Sequence, residues 1–138
     1  MLSYRSVTSA DVDGVLALWS AAGVETGAAD RAEVIERLRG DDGFFIAGVD
    51  ASGVVQATAM GCYDNHRGWV KRFAVAPELR RSGEGTRMLD ELEGRFRAAG
   101  ITKLRLSVWA GNETGGAFWE SKGFEELTDI RYFVKELD

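Results

Sequence analysis

The segment from Val75 to Leu89 constrains the fold of this chain more than any other part of its sequence. An apolar run ends there at Pro77, and two arginines and a Gly-x-Gly follow before an apolar helix pattern begins. A strand, a tight turn and a helix N-terminus are therefore expected at one point. Because the first N–H groups of a helix have no partner within it, and the helix dipole favours negative charge, such a point binds phosphate well. The segment is therefore a candidate anion-binding turn.

The composition narrows the class of protein. With 138 residues, the chain has the length of one domain with one apolar core, so we expect a single domain over residues 1–138. Its apolar runs are far shorter than the ~20 residues that span a bilayer, and its net charge of −5 argues against a nucleic-acid binder. The single cysteine, Cys62, excludes an internal disulfide, predicts no metal site by itself and favours a reducing cytoplasm.

Hydrophobic periodicity predicts a mixed α/β fold. The helices are expected over about 11–22, 30–39, 83–99 and 113–122, the second of them with Val34, Ile35 and Leu38 on one side. The predicted strands are Phe44–Val49, Val54–Cys62, Trp69–Val75, Lys103–Trp109 and 130–136. The first three form an antiparallel meander, and the helix over 83–99 makes a parallel crossover from Trp69–Val75 to Lys103–Trp109. A mixed sheet with helices on its faces follows.

The Gly-x-Gly turn has two interpretations from its residues alone. It either holds a phosphate, with Arg80 and Arg81 adding charge-assisted hydrogen bonds, or it is a plain strand-to-helix turn with solvated arginines. Glu84 would repel a phosphate if it faced the turn, and we expect its side chain to point to solvent.

Two motifs together carry a family resemblance. Residues 80–85 read Arg-Arg-Ser-Gly-Glu-Gly after a strand that ends in Val-Ala-Pro, and this resembles the acyl-CoA signature of the GNAT superfamily of N-acetyltransferases. Residues 112–124, from Asn112 to Phe124, are similar to that family's Asn-x-x-Ala-x-x-Phe/Leu-Tyr-x-x-x-Gly-Phe. The order of the predicted elements matches over nearly the whole chain. The resemblance implies a twisted, mostly antiparallel mixed sheet of about six to seven strands, about four helices, and a splayed parallel strand pair that holds coenzyme A.

The same resemblance implies acetyl-CoA as the cosubstrate and assigns residues to it. The strand bearing Phe73 would pair with the pantetheine arm, the turn would hold the pyrophosphate, and the backbone N–H of Phe73 would polarise the thioester carbonyl. The implied cofactor-binding residues are Phe73, Ala74, Val75, Arg80, Arg81, Ser82, Gly83, Glu84, Gly85, Thr86, Asn112 and Trp119.

The proton carriers depart from the family pattern. The family commonly uses a tyrosine as general acid where this chain has Trp119, and an indole N–H is no proton donor near neutral pH. Tyr63, Tyr132 or water is the alternative acid. The strand over 69–75 lacks the glutamate that some members use as base, so His66 is the first candidate and Glu113 a weaker one.

Two other functions stay open beside an N-acetyltransferase that acts on a primary amine. The tryptophan at 119 suggests a non-catalytic acyl-CoA-binding module, and Glu84 suggests a domain that binds no coenzyme A. The acceptor ranges from a protein N-terminus or lysine to a small amine, the acyl group from acetyl to longer chains, and the assembly from monomer to homodimer. No nucleic acid, membrane or metal partner is expected.

Overall fold

Five strands and four α-helices form in the computed structural model, which describes residues 1–24, 27–40 and 42–137. The strands are β1 (Ser3–Ser6), β2 (Phe45–Val49), β3 (Val55–Asp64), β4 (Arg67–Val75) and β5 (Lys103–Arg105). The helices are α1 (Val12–Ala22), α2 (Asp30–Arg39), α3 (Glu84–Ala98) and α4 (Glu113–Ser121), with short 3₁₀ turns at Ser9–Asp11 and Pro77–Leu79. The predicted mixed α/β fold is confirmed.

The strands lie in sequence order across one sheet, β1-β2-β3-β4-β5. The first four pair antiparallel, whereas β5 pairs parallel to β4 after the α3 crossover. This parallel ladder is only three residues long and ends at Trp69 opposite Arg105. The antiparallel ladder of β4 with β3 continues to Val75 opposite Ala57. Beyond Trp69, β4 therefore remains paired with β3 but is no longer paired with β5.

Two adjacent phenylalanines show that helices cover both faces of this sheet. Phe45 stacks on Trp19 of α1 at 6.4 Å between ring centroids, and Phe44 stacks on Phe96 of α3 at 4.7 Å. Because successive side chains of an extended strand point to opposite faces, α1 and α3 lie on opposite sides of the sheet. The core is formed by β2 and β3 between them.

The predicted helices are confirmed to within a residue or two at their ends. The inward positions of α3 are fully buried, and so are Val15 and Trp19 of α1. In α2 only Val34 is fully buried. Ile35, which was expected on the same side, is 41% exposed. A single apolar residue per turn thus packs α2 against its neighbours.

The strands differ from the prediction in three places. The edge strand β1 was not predicted, because its sequence Ser-Tyr-Arg-Ser has no apolar alternation and it forms by pairing with β2. The strand expected over Lys103–Trp109 ends at Arg105, where its ladder with β4 ends. Residues 130–136 are not a strand, because a strand needs a ladder partner to satisfy its N–H and C=O groups. Five strands therefore replace the expected six to seven in the described part of the chain.

The chain divides into two compact units, the first over Met1–Leu106 and the second from Ser107 onward. The first contains the sheet and α1 to α3. The second contains α4, which begins after Asn112, followed by an exposed segment that carries Ile130, Tyr132, Phe133 and Val134.

Candidate active site

The turn after β4 has the backbone geometry of an anion cradle. Arg81 and Gly83 both take left-handed conformations, with φ of 64° and 88°, on either side of Ser82. Gly83 is the N-cap of α3, and no side chain among the described residues caps that end of the helix. Left-handed residues in a turn direct successive N–H groups toward one side, and the first N–H groups of α3 have no acceptor within the helix. The turn can therefore present several N–H groups to one anion.

Two groups that were expected to face a phosphate have protein partners instead. The N–H of Ser82 donates to the carbonyl of Leu79 at 3.3 Å, so it serves the turn itself. The guanidinium of Arg80 donates to the carbonyl of Ala22 at 2.7 Å and thereby caps the C-terminus of α1. Arg81 is exposed. Of the two arginines, Arg81 is the one better placed to meet a ligand.

The expectation that Glu84 points to solvent is wrong. Its side chain is only 9% exposed and lies in a cluster with Tyr4 and Arg87. The Tyr4 hydroxyl donates to the carboxylate at 2.6 Å, and Arg87 donates to it at 2.6 and 3.0 Å. Burial alone would raise the pKa of Glu84, but the bonds from Tyr4 and Arg87 and the charge of Arg87 lower it. The carboxylate therefore stays charged and is neutralised inside the first unit, at the start of the helix.

Strand β4 carries a β-bulge that no sequence signal indicated. In the β3–β4 ladder, Thr58 pairs with Ala74 and Met60 pairs with Lys71, so Arg72 and Phe73 together lie opposite Ala59. Arg72 has a φ of 49°, although it is not a glycine. A bulge bends its strand and reorients the peptide groups beside it. The peptide group between Arg72 and Phe73 is the one that this bulge reorients.

A buried cluster surrounds the bulge, and its members were missed in the sequence. The Trp19 indole N–H donates to the Thr58 hydroxyl at 2.9 Å, and that hydroxyl donates to the Arg72 carbonyl at 3.2 Å. The Arg72 guanidinium lies 4.5 Å from the centroid of the Trp19 ring and pairs with Asp30 at 3.1 Å. These residues lie far apart in sequence on α1, α2, β3 and β4, so no local pattern joins them.

The candidate proton carriers lie toward the opposite end of β4. His66 is exposed in the tight turn that precedes Arg67, and Tyr63 pairs with Gly68 at the start of the strand. At ~3.3 Å per residue, His66 lies about 20 Å and Tyr63 about 15 Å from Phe73 along the strand. The structure does not bring either of them to the bulge, and their catalytic roles stay predictions.

The second unit holds the other two residues of the predicted coenzyme site. Asn112 is the N-cap of α4, and its side chain accepts a hydrogen bond from the N–H of Gly115 at 2.9 Å. Trp119 is half-buried and makes edge contacts with Phe118 and Phe124 at 5.0 and 5.2 Å between ring centroids. Asn112 thus has a structural role that accounts for an asparagine at the start of this helix.

Comparisons with known proteins show the family of this chain. The model of the acetyltransferase (GNAT) family matches residues 13–124, which is most of the chain. The chain belongs to the GNAT acetyltransferase family. The matched range includes the turn after β4 and the helix α4, and the binding roles that the resemblance implies for them stay predictions.

Solved structures share the GNAT fold. The ribosomal-protein-S18-alanine N-acetyltransferase from Escherichia coli has a TM-score of 0.78 at 21% identity, covering 93% of this chain and 80% of that one. The aminoglycoside antibiotic 6'-N-acetyltransferase from Acinetobacter haemolyticus has 0.77 at 20%, covering 99% of both chains. An N-acetyltransferase from Thermoplasma acidophilum in complex with coenzyme A has 0.73 at 18%, covering 91% and 90%. Because the sequence identities are this low, these similarities show a shared fold and nothing finer.

Two further findings concern the described residues of this GNAT protein. No helix in the described ranges is long and apolar enough to cross a membrane. Among the same residues, no group of three or more His, Cys, Asp or Glu side chains is arranged to hold a metal ion.

Proposed function

We propose that this GNAT protein moves an acetyl group from acetyl-CoA directly to a primary amine. The observation that carries the proposal is the cradle formed by Arg81, Gly83 and the uncapped N-terminus of α3, directly after a bulged strand. The cradle suits a pyrophosphate, and the strand suits the pantetheine arm as an added strand. The implied ligand-facing backbone is that of Phe73, Ala74 and Val75.

The acetyl transfer needs little acid or base catalysis from side chains. The neutral amine nitrogen attacks the thioester carbonyl carbon, a C–N bond forms, and the C–S bond breaks. The amine loses a proton, and the departing thiolate gains one to give coenzyme A. The N–H of Phe73 would stabilise the negative charge that develops on the carbonyl oxygen. Because a thiol has a pKa of about 8.5, the thiolate leaves without a strong acid, and Trp119 in place of tyrosine is tolerable.

The remaining assignments are part of the same proposal. The family match crosses the boundary between the two units, which supports one functional domain over residues 1–138. Asn112 and Trp119 would line the pantetheine, His66 or Tyr63 would carry protons through water, and the protein would act in the cytoplasm as a monomer or homodimer. The related enzymes named above act on a ribosomal protein and on an aminoglycoside, so the acceptor class is open between protein and small amine.

Coenzyme A binding by calorimetry tests the cradle. We expect Arg81→Glu and Gly83→Glu each to weaken coenzyme A binding about tenfold to a hundredfold, since each places a carboxylate where an anion binds. Gly53→Glu is the matched control for Gly83, because Gly53 has a similar φ of 85° and equally open space around it. Arg39→Glu, on the exposed side of α2, is the control for Arg81.

Thiol release from acetyl-CoA across a panel of amines and peptides tests transfer. Equal coenzyme A affinity in Arg81→Glu, Gly83→Glu and their two control variants would contradict the cradle as the pyrophosphate site. Coenzyme A binding without transfer to any acceptor would favour the non-catalytic binding module, which the tryptophan at 119 also suggests. If coenzyme A neither binds nor raises the melting temperature, the chain would be a domain that binds no coenzyme.

A further inference from the structure

We infer that Trp19, Thr58, Arg72 and Asp30 form a clamp that orients the N–H of Phe73 toward the thioester carbonyl. We call this set of residues the bulge clamp. The inference rests on the proposed function, and it adds four positioning residues that act through the backbone of β4.

The Arg72 carbonyl and the Phe73 N–H belong to one planar trans peptide unit, so they point in opposite directions. The Thr58 hydroxyl, which is fully buried on the neighbouring strand, donates to that carbonyl at 3.2 Å. A bond that holds the carbonyl oxygen toward β3 therefore also directs the Phe73 N–H away from β3.

The clamp also polarises this peptide group. Trp19 is fully buried, and its indole N–H donates to the Thr58 oxygen, so a chain of hydrogen bonds ends at the Arg72 carbonyl. Hydrogen bonds in such a chain polarise one another, and an amide whose oxygen accepts a bond is a stronger donor through its nitrogen. The clamp thus orients the Phe73 N–H and makes it a stronger hydrogen-bond donor.

The clamp also holds the backbone of Arg72 in its left-handed conformation. A left-handed φ is uncommon for a residue with a Cβ and persists only where surrounding contacts hold it. The guanidinium supplies such contacts, because it lies over the Trp19 ring at 4.5 Å and pairs with Asp30 at 3.1 Å and Glu33 at 3.4 Å. Trp19 supports Arg72 in two ways, since its N–H donates to the Thr58 hydroxyl that bonds the Arg72 carbonyl, and its ring lies against the Arg72 guanidinium. Arg72 is therefore held both through its backbone carbonyl and through its side chain.

The ¹³C chemical shift of the carbonyl in bound [1-¹³C]acetyl-CoA tests the clamp without any acceptor. In the wild-type protein we expect the carbonyl signal to lie downfield of free acetyl-CoA, because an N–H donor withdraws electron density from it. Thr58→Val keeps the shape but removes the hydroxyl, so the signal should move back toward the free value. Thr58→Ser keeps the hydroxyl and should retain the wild-type shift.

Two further variants keep the test decisive. Arg72→Gly accepts the positive φ but lacks the guanidinium, so it should also lose most of the shift, and it replaces Thr58→Val if that variant does not fold. Arg31→Gln breaks the exposed pair between Arg31 and Asp13 on the same two helices and should leave the shift unchanged. All folded variants should bind acetyl-CoA within about threefold of wild type, since the cradle is untouched.

The outcomes separate the clamp from the function on which it rests. A downfield shift in the wild type that persists in both Thr58→Val and Arg72→Gly would overturn the clamp and leave the proposed function intact. Failure of the wild-type protein to bind acetyl-CoA would overturn the proposed function, and the clamp with it. A shift that is lost in Thr58→Val and Arg72→Gly and kept in Thr58→Ser and Arg31→Gln supports the clamp.

Discussion

At the residue scale, Glu84 shows how a negative charge at a candidate anion site is accommodated. A carboxylate in the first turn of α3 favours the helix, but it would oppose a phosphate bound at the same N-terminus. The fold turns this carboxylate inward to Tyr4 and to Arg87, which lies one turn further along the helix. The helix retains a favourable first-turn charge, while the N–H groups of the cradle face no uncompensated negative group from this side chain.

The Tyr4 hydroxyl makes this arrangement testable. We expect Tyr4→Phe to lower the free energy of unfolding by about 1–2 kcal/mol, because a buried carboxylate loses a donor. Tyr63→Phe is the matched control, since Tyr63 is 51% exposed and its hydroxyl removal should change stability by less than about 0.5 kcal/mol. Urea denaturation measures both. Equal stability of Tyr4→Phe and wild type would show that the hydrogen bond from Tyr4 to Glu84 contributes nothing to folding.

At the element scale, the contact of α3 with the sheet depends on two glycines in the strands. A Cβ on Gly61 would lie 2.7 Å from the Phe96 ring of α3, and one on Gly68 would lie 3.0 Å from the same ring and 2.7 Å from Leu104 of β5. Both glycines are needed for close approach and neither has a positive φ. The large inward side chains of α3 thus fit against the sheet because the glycines beneath them have no side chains.

We therefore expect Gly61→Ala to destabilise the protein by about 1–3 kcal/mol, the usual cost of overpacking a buried contact. Gly94→Ala is the opposing control on α3, where the new methyl meets nothing within 4 Å and the position is exposed. It should stabilise the helix by about 1 kcal/mol, because alanine has the higher helix propensity. Thermal or urea unfolding measures both, and a neutral Gly61→Ala would contradict the packing described here.

At the scale of the whole molecule, buried carboxylates predict how stability depends on pH. Asp11 accepts hydrogen bonds from Arg5 at 2.7 and 2.9 Å and from the Thr8 N–H at 2.8 Å. The Arg5 bonds are the main cause that lowers the pKa of Asp11 from 3.8 to about 2. The pKa of Glu84 is lowered as well. Both groups therefore bind protons less readily in the folded protein than in the unfolded chain.

The sign of the effect follows from this difference in proton binding. The stabilisation that Asp11 and Glu84 contribute should be fully present above about pH 5. It should fall as the pH drops toward about 2, because the unfolded chain binds more protons than the folded protein in that range. Asp11 should contribute about 1 kcal/mol of this loss, after allowance for the half-exposed Arg5. Urea denaturation between pH 7 and pH 3 measures the slope, and Asp11→Asn should flatten it. An unchanged slope in that variant would exclude Asp11 as a cause.

The sequence by itself determined the elements whose patterns are local. The periodicity of Met88, Leu89, Leu92 and Phe96 predicted α3, and the resemblance of the turn and of residues 112–124 to family motifs predicted the GNAT family. Helix periodicity and turn chemistry depend on neighbours a few residues away, so they are readable in one chain.

Only the tertiary structure decided the features that depend on distant partners. The edge strand β1 exists because β2 lies beside it, and the inward turn of Glu84 exists because Tyr4 lies across from it. The bulge occurs at an arginine, where no glycine marks it, because Trp19, Thr58 and Asp30 hold Arg72 from three other elements. Left-handed backbone at a non-glycine residue costs free energy, and contacts made only in the folded chain offset that cost.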